Sequence, residues 1–180
     1  MTAKNETYEP TNEEGFVHEE GGEGYAPDMD AGIQTDFDVE SEYVPAPLIT
    51  QGWYNASITE AKLDVEKQCI SITYTLNDNG GVMTDGETPV DGNTITGNVW
   101  LPKPGDENEY TKTGRQTKRQ AKINMMQDFT KKTKISLNKP VEILTALRNQ
   151  DWLGLSMKVK ISAREYQGRV FNQVDDVKSA

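Results

Sequence analysis

Alternating apolar and polar positions mark the start of the folded part of the chain. Tyr54, Ala56 and Ile58 share one side, and Trp53, Asn55, Ser57 and Thr59 share the other. A period of two predicts a strand opening at Gly52. After the polar stretch KLDVEKQ, the run Cys69 to Leu76 is rich in β-branched residues and reads as a second strand. Asn77-Asp78-Asn79-Gly80-Gly81 ends it with residues that accept turn geometry. Residues 82–93 read as a loop, and Thr94 to Leu101 as a third strand stopped by Pro102 and Pro104. The spacing then becomes helical over residues 115–133, where Ile123, Met126 and Thr130 make a stripe widened by Met125 and Phe129. A shorter helix is predicted from Pro140, a residue suited to the first helical position, with Val141, Leu144 and Leu147 as its apolar face. Trp152, beside Leu153 and Leu155, reads as a packing anchor. The clearest β signal comes last. Leu155, Met157, Val159 and Ile161 alternate with Ser156, Lys158, Lys160 and Ser162, Tyr166-Gln167-Gly168-Arg169 turns, and Val170 to Val174 returns.

The predicted class is therefore mainly β with a helical insertion: three strands, helices, then a terminal hairpin. That order fits a five-stranded OB-fold-like barrel, a small, partly open fold that binds single strands. Residues 1–46 are different. They are rich in acids, poor in large aliphatics and without sustained periodicity, which predicts a disordered or extended arm. The expected organisation is an arm over 1–46 and one domain over 47–180.

Charge sharpens this division. Residues 1–46 hold thirteen acids and a single base, Lys4, whereas residues 47–180 hold sixteen acids and eighteen bases. The formal net charge of −10 thus hides a slightly basic domain behind an acidic arm. From Lys112 to Lys134 there are eight bases against one acid, Asp128.

Most catalytic chemistry is missing. The one histidine, His18, lies in the acidic arm, and the one cysteine is Cys69. Neither a thiolate–imidazole zinc site nor a Ser-His or Cys-His couple can be assembled from them. No glycine-rich phosphate loop is present. Asp78, Asp85, Glu87 and Asp91 lack the spacing of a calcium loop and read as solvated loop acids. The chain is expected not to be an enzyme and to need no cofactor or metal. No apolar run is long enough to span a membrane. A single cysteine and a start without an apolar core segment predict an unexported protein in a reducing compartment, where the Asn55-Ala56-Ser57 sequon is a chance match.

Binding chemistry, by contrast, is present. Single-strand binders combine cations along a groove with flat rings on which bases stack. The candidate cations are Arg115, Lys118, Arg119 and Lys122 on the helix, and Lys158, Lys160, Arg164 and Arg169 on the hairpin. The candidate rings are Trp53, Tyr54, Tyr74, Trp100, Tyr110, Trp152, Tyr166 and Phe171, some of which must be core. Foremost are Tyr166, at the hairpin turn between Arg164 and Arg169, and Trp100 and Tyr110, which flank the loop leading into the basic helix.

These residues carry a resemblance. Pro47…Gly52-Trp53-Tyr54, Trp100-Leu101-Pro102, the helix Lys118-Arg119…Met125…Phe129, and a Trp-Leu-Gly leading to Glu165-Tyr166-Gln167-Gly168…Asn172-Gln173-Val174 stand in one order. Over residues 47–178 the chain resembles phage-encoded single-stranded DNA-binding proteins of the OB-fold type. The ending E-Y-x-G-x-x-x-N-x-V is the most specific match. The resemblance implies coating of single-stranded DNA during phage replication or recombination, in the host cytoplasm. It places Arg164, Tyr166 and Arg169, with Lys118, Arg119 and Lys122, near the strand. It leaves homo-oligomerisation open, and makes phage or host replication and recombination proteins the expected partners of the acidic arm.

In one respect the chain departs from the pattern: its acids are N-terminal, and it ends DDVKSA instead of in an acidic tail. The arm is then expected to compete with DNA as a tethered polyanion. Deleting residues 1–46 should tighten DNA binding and steepen its salt dependence, and equal affinity with and without the arm excludes this. Two other readings fit the same arm. One is a virion structural or decoration protein whose arm extends over a neighbour, which would co-purify with particles. The other is an inhibitor whose arm mimics DNA, which would bind its target through the arm alone.

Overall fold

Five strands and two helices follow one another as expected, with the helices inserted between the third and fourth strands. The computed structural model describes residues 43–180, so the expected arm lies outside the described residues up to residue 42. The elements are β1 Gly52–Asp64, β2 Cys69–Leu76, β3 Thr94–Trp100, α1 Lys118–Thr133, α2 Pro140–Asn149, β4 Ser156–Tyr166 and β5 Arg169–Ser179. They build a single antiparallel sheet in the order β3-β2-β1-β4-β5. Pro45–Ala180 forms one unit around one core.

The sheet is open. β3 and β5 are its edges, and no ladder joins them among the described residues. They nevertheless come together at Gly97. A Cβ there would meet the Val174 Cβ at 3.3 Å and a Tyr74 ring carbon at 3.4 Å. The absent side chain lets β5 curl over the inner face of β3, so the sheet approaches closure by packing instead of hydrogen bonding.

The inner face follows the alternation. Ile70, Ile72, Tyr74 and Leu76 of β2 and Met157, Val159 and Ile161 of β4 are buried, beneath Ile135, Leu137, Ile143 and Trp152 from the helical segment. Trp152 is the packing anchor expected of it.

Two bulges explain where strand lengths differ from the alternation. A register shift between Ile58 and Glu60 turns the inward parity from even residues to Ala61 and Leu63, and β1 therefore continues to Asp64 through a stretch that reads as a connection. A second shift, at Lys160/Ile161 against Val174 and Asp176, carries β5 on to Ser179 with Val177 inside. The helices also need correction. In α2 the buried residue is Ile143, backed by Ala146 and Leu147, while Val141 and Leu144 are exposed. Ile143, Ala146 and Leu147 stand at i, i+3 and i+4, so the core-facing stripe lies one position away from the one that Val141 and Leu144 define. In α1 Met126 and Phe129 pack on the core but Met125 is exposed.

Candidate nucleic-acid interface

The β4–β5 hairpin gathers most of the candidate residues. Its two-residue link, Gln167-Gly168, has φ of 52° and 74°, the left-handed pair of a type I′ turn, whose twist matches the flanking strands. The register pairs Ser162 with Gln173, Arg164 with Phe171, and Tyr166 with Arg169. Since Met157, Val159 and Ile161 point inward, these alternate positions all lie on the outer face. Two rings and two guanidiniums thus share one side of a ribbon that runs beyond its pairing with β1, which ends at Ile161. Tyr166 is 60% exposed and Phe171 42%. The opposite side of the ribbon is tied down. Asn172 accepts from the Ile49 N–H at 2.8 Å and donates to the Ile49 carbonyl at 2.8 Å, fastening the hairpin to the segment that precedes β1.

The same outer face continues down β4 to Lys160 and Lys158, which stand opposite Trp53 and Asn55 of β1. On β5 it carries Asp176 and Lys178, opposite Lys160 and Lys158. The acids here are already engaged. Asp176 takes the Lys132 ammonium at 2.9 Å, and Asp175 accepts from the Ser162 hydroxyl at 2.8 Å. Lys158, Lys160, Arg164, Arg169 and Lys178 form no ion pair among the described residues. This leaves five uncompensated cations along one face of the sheet.

The basic helix is less available than its composition implies. Lys122 bonds the Asp106 carboxylate at 2.7 Å and is largely covered, so its charge serves the interior. Lys118 pairs with Glu109. Lys132 bridges Asp128 and Asp176. Arg115 and Arg119 stay exposed and form no ion pair among the described residues. Tyr110, also exposed, bridges to Thr117 across a small loop that carries Lys112 and Arg115 at its tip. Trp100 is partly exposed on the outer side of β3, three strands from β4 in the hydrogen-bonding order.

The loop acids also have structural work. Asp91 accepts from the Asn79 and Gly80 N–H groups, and Asp85 from Glu87 and Thr88. These bonds hold both carboxyls below their ordinary range, the first chiefly through Gly80 and the second chiefly through the Thr88 hydroxyl.

Of the expected site residues, Trp100 stands apart on β3 and Lys118 and Lys122 are held in ion pairs, and the other eight fall into two groups. Lys158, Lys160, Arg164, Tyr166 and Arg169 lie along one face, which Trp53, Phe171 and Lys178 join. Tyr110, Arg115 and Arg119 belong to the loop and helix. Trp53 and Phe171 were legible as polar-side aromatics of their strands, but Lys178 lies beyond a bulge that no periodicity announces. No family model matches the chain, and no curated protein matches it. No helix among the described residues is long and apolar enough to cross a membrane.

Proposed function

We propose that the protein binds single-stranded DNA, without catalysis, along the outer face of β4 and β5. The observation that carries this reading is the set Arg164, Tyr166, Arg169 and Phe171 on one exposed side of the hairpin. Rings of this kind accept any base that is not already stacked in a duplex, and flanking guanidiniums hold the phosphates. The strand order, the helices between β3 and β4, and the approach of β5 to β3 at Gly97 support reading the open sheet as an OB-fold-like barrel. The resemblance in sequence supports a role in phage replication or recombination, in the host cytoplasm.

The test is fluorescence polarisation with the full chain. It compares a labelled oligothymidylate of about thirty nucleotides, longer than the roughly 4–16 that one such domain covers, with a duplex of equal length. Four phosphate contacts, from Lys158, Lys160, Arg164 and Arg169, predict a salt slope of about −3 or steeper for the single strand, a loss of several hundredfold or more per decade of salt. Absence of binding at low salt, or a duplex bound as tightly as the single strand, sinks the proposal.

A further inference from the structure

Trp53 carries a cation on its ring. The Lys178 ammonium lies 4.5 Å from the ring centroid. Trp53 belongs to β1 and Lys178 to β5, with β4 between them. The lysine therefore reaches across two strand spacings, about 10 Å. Its register partner is Lys158, and that of Trp53 is Lys160. Like charges directly opposite on neighbouring strands repel. Asp176 stands opposite Lys160 but its carboxylate is taken by Lys132, and none of the three lysines forms an ion pair among the described residues. The indole is 44% exposed, and it takes up one of the three ammoniums. A flat ring within a cluster of unpaired ammoniums has the composition of a nucleotide subsite, the ring for a base and the cations for its phosphates.

We infer that Trp53 and Lys178 form a second base-stacking subsite, which the protein's own cation occupies until a strand arrives. An unpaired base replaces the ammonium on the indole, and Lys178 moves to a flanking phosphate. An exposed cation–π contact is weaker than a base stacked on an aromatic ring, so the exchange runs toward the base. The released ammonium exchanges repulsion from Lys158 for a phosphate between them. This inference rests on the proposed single-strand function and deepens it. Lys160, opposite Trp53, is six residues along β4 from Tyr166, about 20 Å in strand rise, so one extended strand can engage both subsites.

The experiment reads tryptophan fluorescence and polarisation on the same samples of full chain with oligothymidylate. Of the three tryptophans, Trp152 is buried, which leaves Trp53 and Trp100 as reporters. Binding is expected to quench the wild-type emission. Trp53→Phe should remove most of the quench while keeping affinity within about threefold, because phenylalanine still stacks. Trp53→Ala should weaken binding about tenfold. Lys178→Gln, an exposed change that leaves the ring in place, should flatten the salt slope by about 0.7. If polarisation reports binding but Trp53→Phe quenches as fully as wild type, the subsite is overturned while the hairpin reading stands. An unchanged slope in Lys178→Gln overturns the transfer of its ammonium to phosphate. No binding by the wild type at low salt overturns both the subsite and the function on which it rests.

Discussion

Replacing Tyr166 and Phe171 together with alanine is expected to weaken single-strand binding by on the order of a hundredfold or more, with the melting temperature nearly unchanged. Each ring can stack one base, worth about 1–3 kcal/mol by alanine substitution, and every 1.4 kcal/mol is about tenfold in affinity. The single variants should each lose about tenfold. Stability should hardly respond, because both rings are exposed and neither belongs to the buried cluster. The hairpin keeps its backbone ladder and the Asn172 bonds to Ile49. Polarisation and thermal melts on the same samples separate the two effects. A double variant that binds within about threefold of wild type removes the hairpin as the stacking platform. Tyr110→Ala then becomes the informative substitution, since Tyr110 is the exposed ring beside Arg115.

Legibility in the sequence depended on whether a feature was local. β4 shows its alternation plainly because one side is buried along half its length and the other stays polar, so the period of two alone puts Lys158, Lys160, Arg164 and Tyr166 on one face. The bulges near Thr59 and Asp175 were hidden, because an extra residue reverses the parity and makes a continuous strand look like its end. Charge counting along α1 failed for a different reason. The acids that neutralise Lys118 and Lys122 are Glu109 and Asp106, just upstream of the basic run, and Lys132 is met by Asp176 from β5. A window along the chain cannot see partners brought in by folding. The meeting of Trp53 and Lys178 is also non-local, because it needs the register of three strands.

The basic helix also has an electrostatic problem. Lys118, Arg119 and Lys122 stand in its first turns, where the helix dipole is positive, and no acid stands there with them. Thr117 accepts from the Gln120 N–H at 3.2 Å and satisfies one open donor of the helix end. The charge itself is answered from outside the helix. Asp106 is only 1% exposed, and its Oδ2 receives the Lys122 ammonium at 2.7 Å and the Lys103 N–H at 2.9 Å. Its Oδ1 is buried without a partner among the described residues. This half-satisfied carboxylate depends on Lys122, and the pair fastens the Pro102–Thr117 loop to α1.

Lys122→Met is therefore expected to lower the melting temperature by about 10 °C at neutral pH, because it strands a buried carboxylate without its counter-charge. The loss should shrink as the pH falls. In the wild type, Asp106 is held below the ordinary carboxylate range, first by the hydrogen bond from Lys122 and then by the Lys103 N–H. A lowered folded-state pKa means stability that is present above the unfolded value and lost as pH falls through the folded one. In the variant the main lowering influence is gone and burial raises the carboxyl, so protonation in acid relieves the strain instead of breaking a bond. The wild-type and variant melting curves should therefore draw together as the pH falls and meet only below the ordinary aspartate range, where the wild-type carboxyl is protonated as well. Asp106→Asn/Lys122→Met, which removes both charges, should recover part of the loss at neutral pH. If Lys122 instead faces the strand, its replacement will flatten the salt slope of DNA binding by about 0.7 and leave the melting temperature in place. That outcome would return the helix stripe to the binding surface and remove Lys122 from the interior.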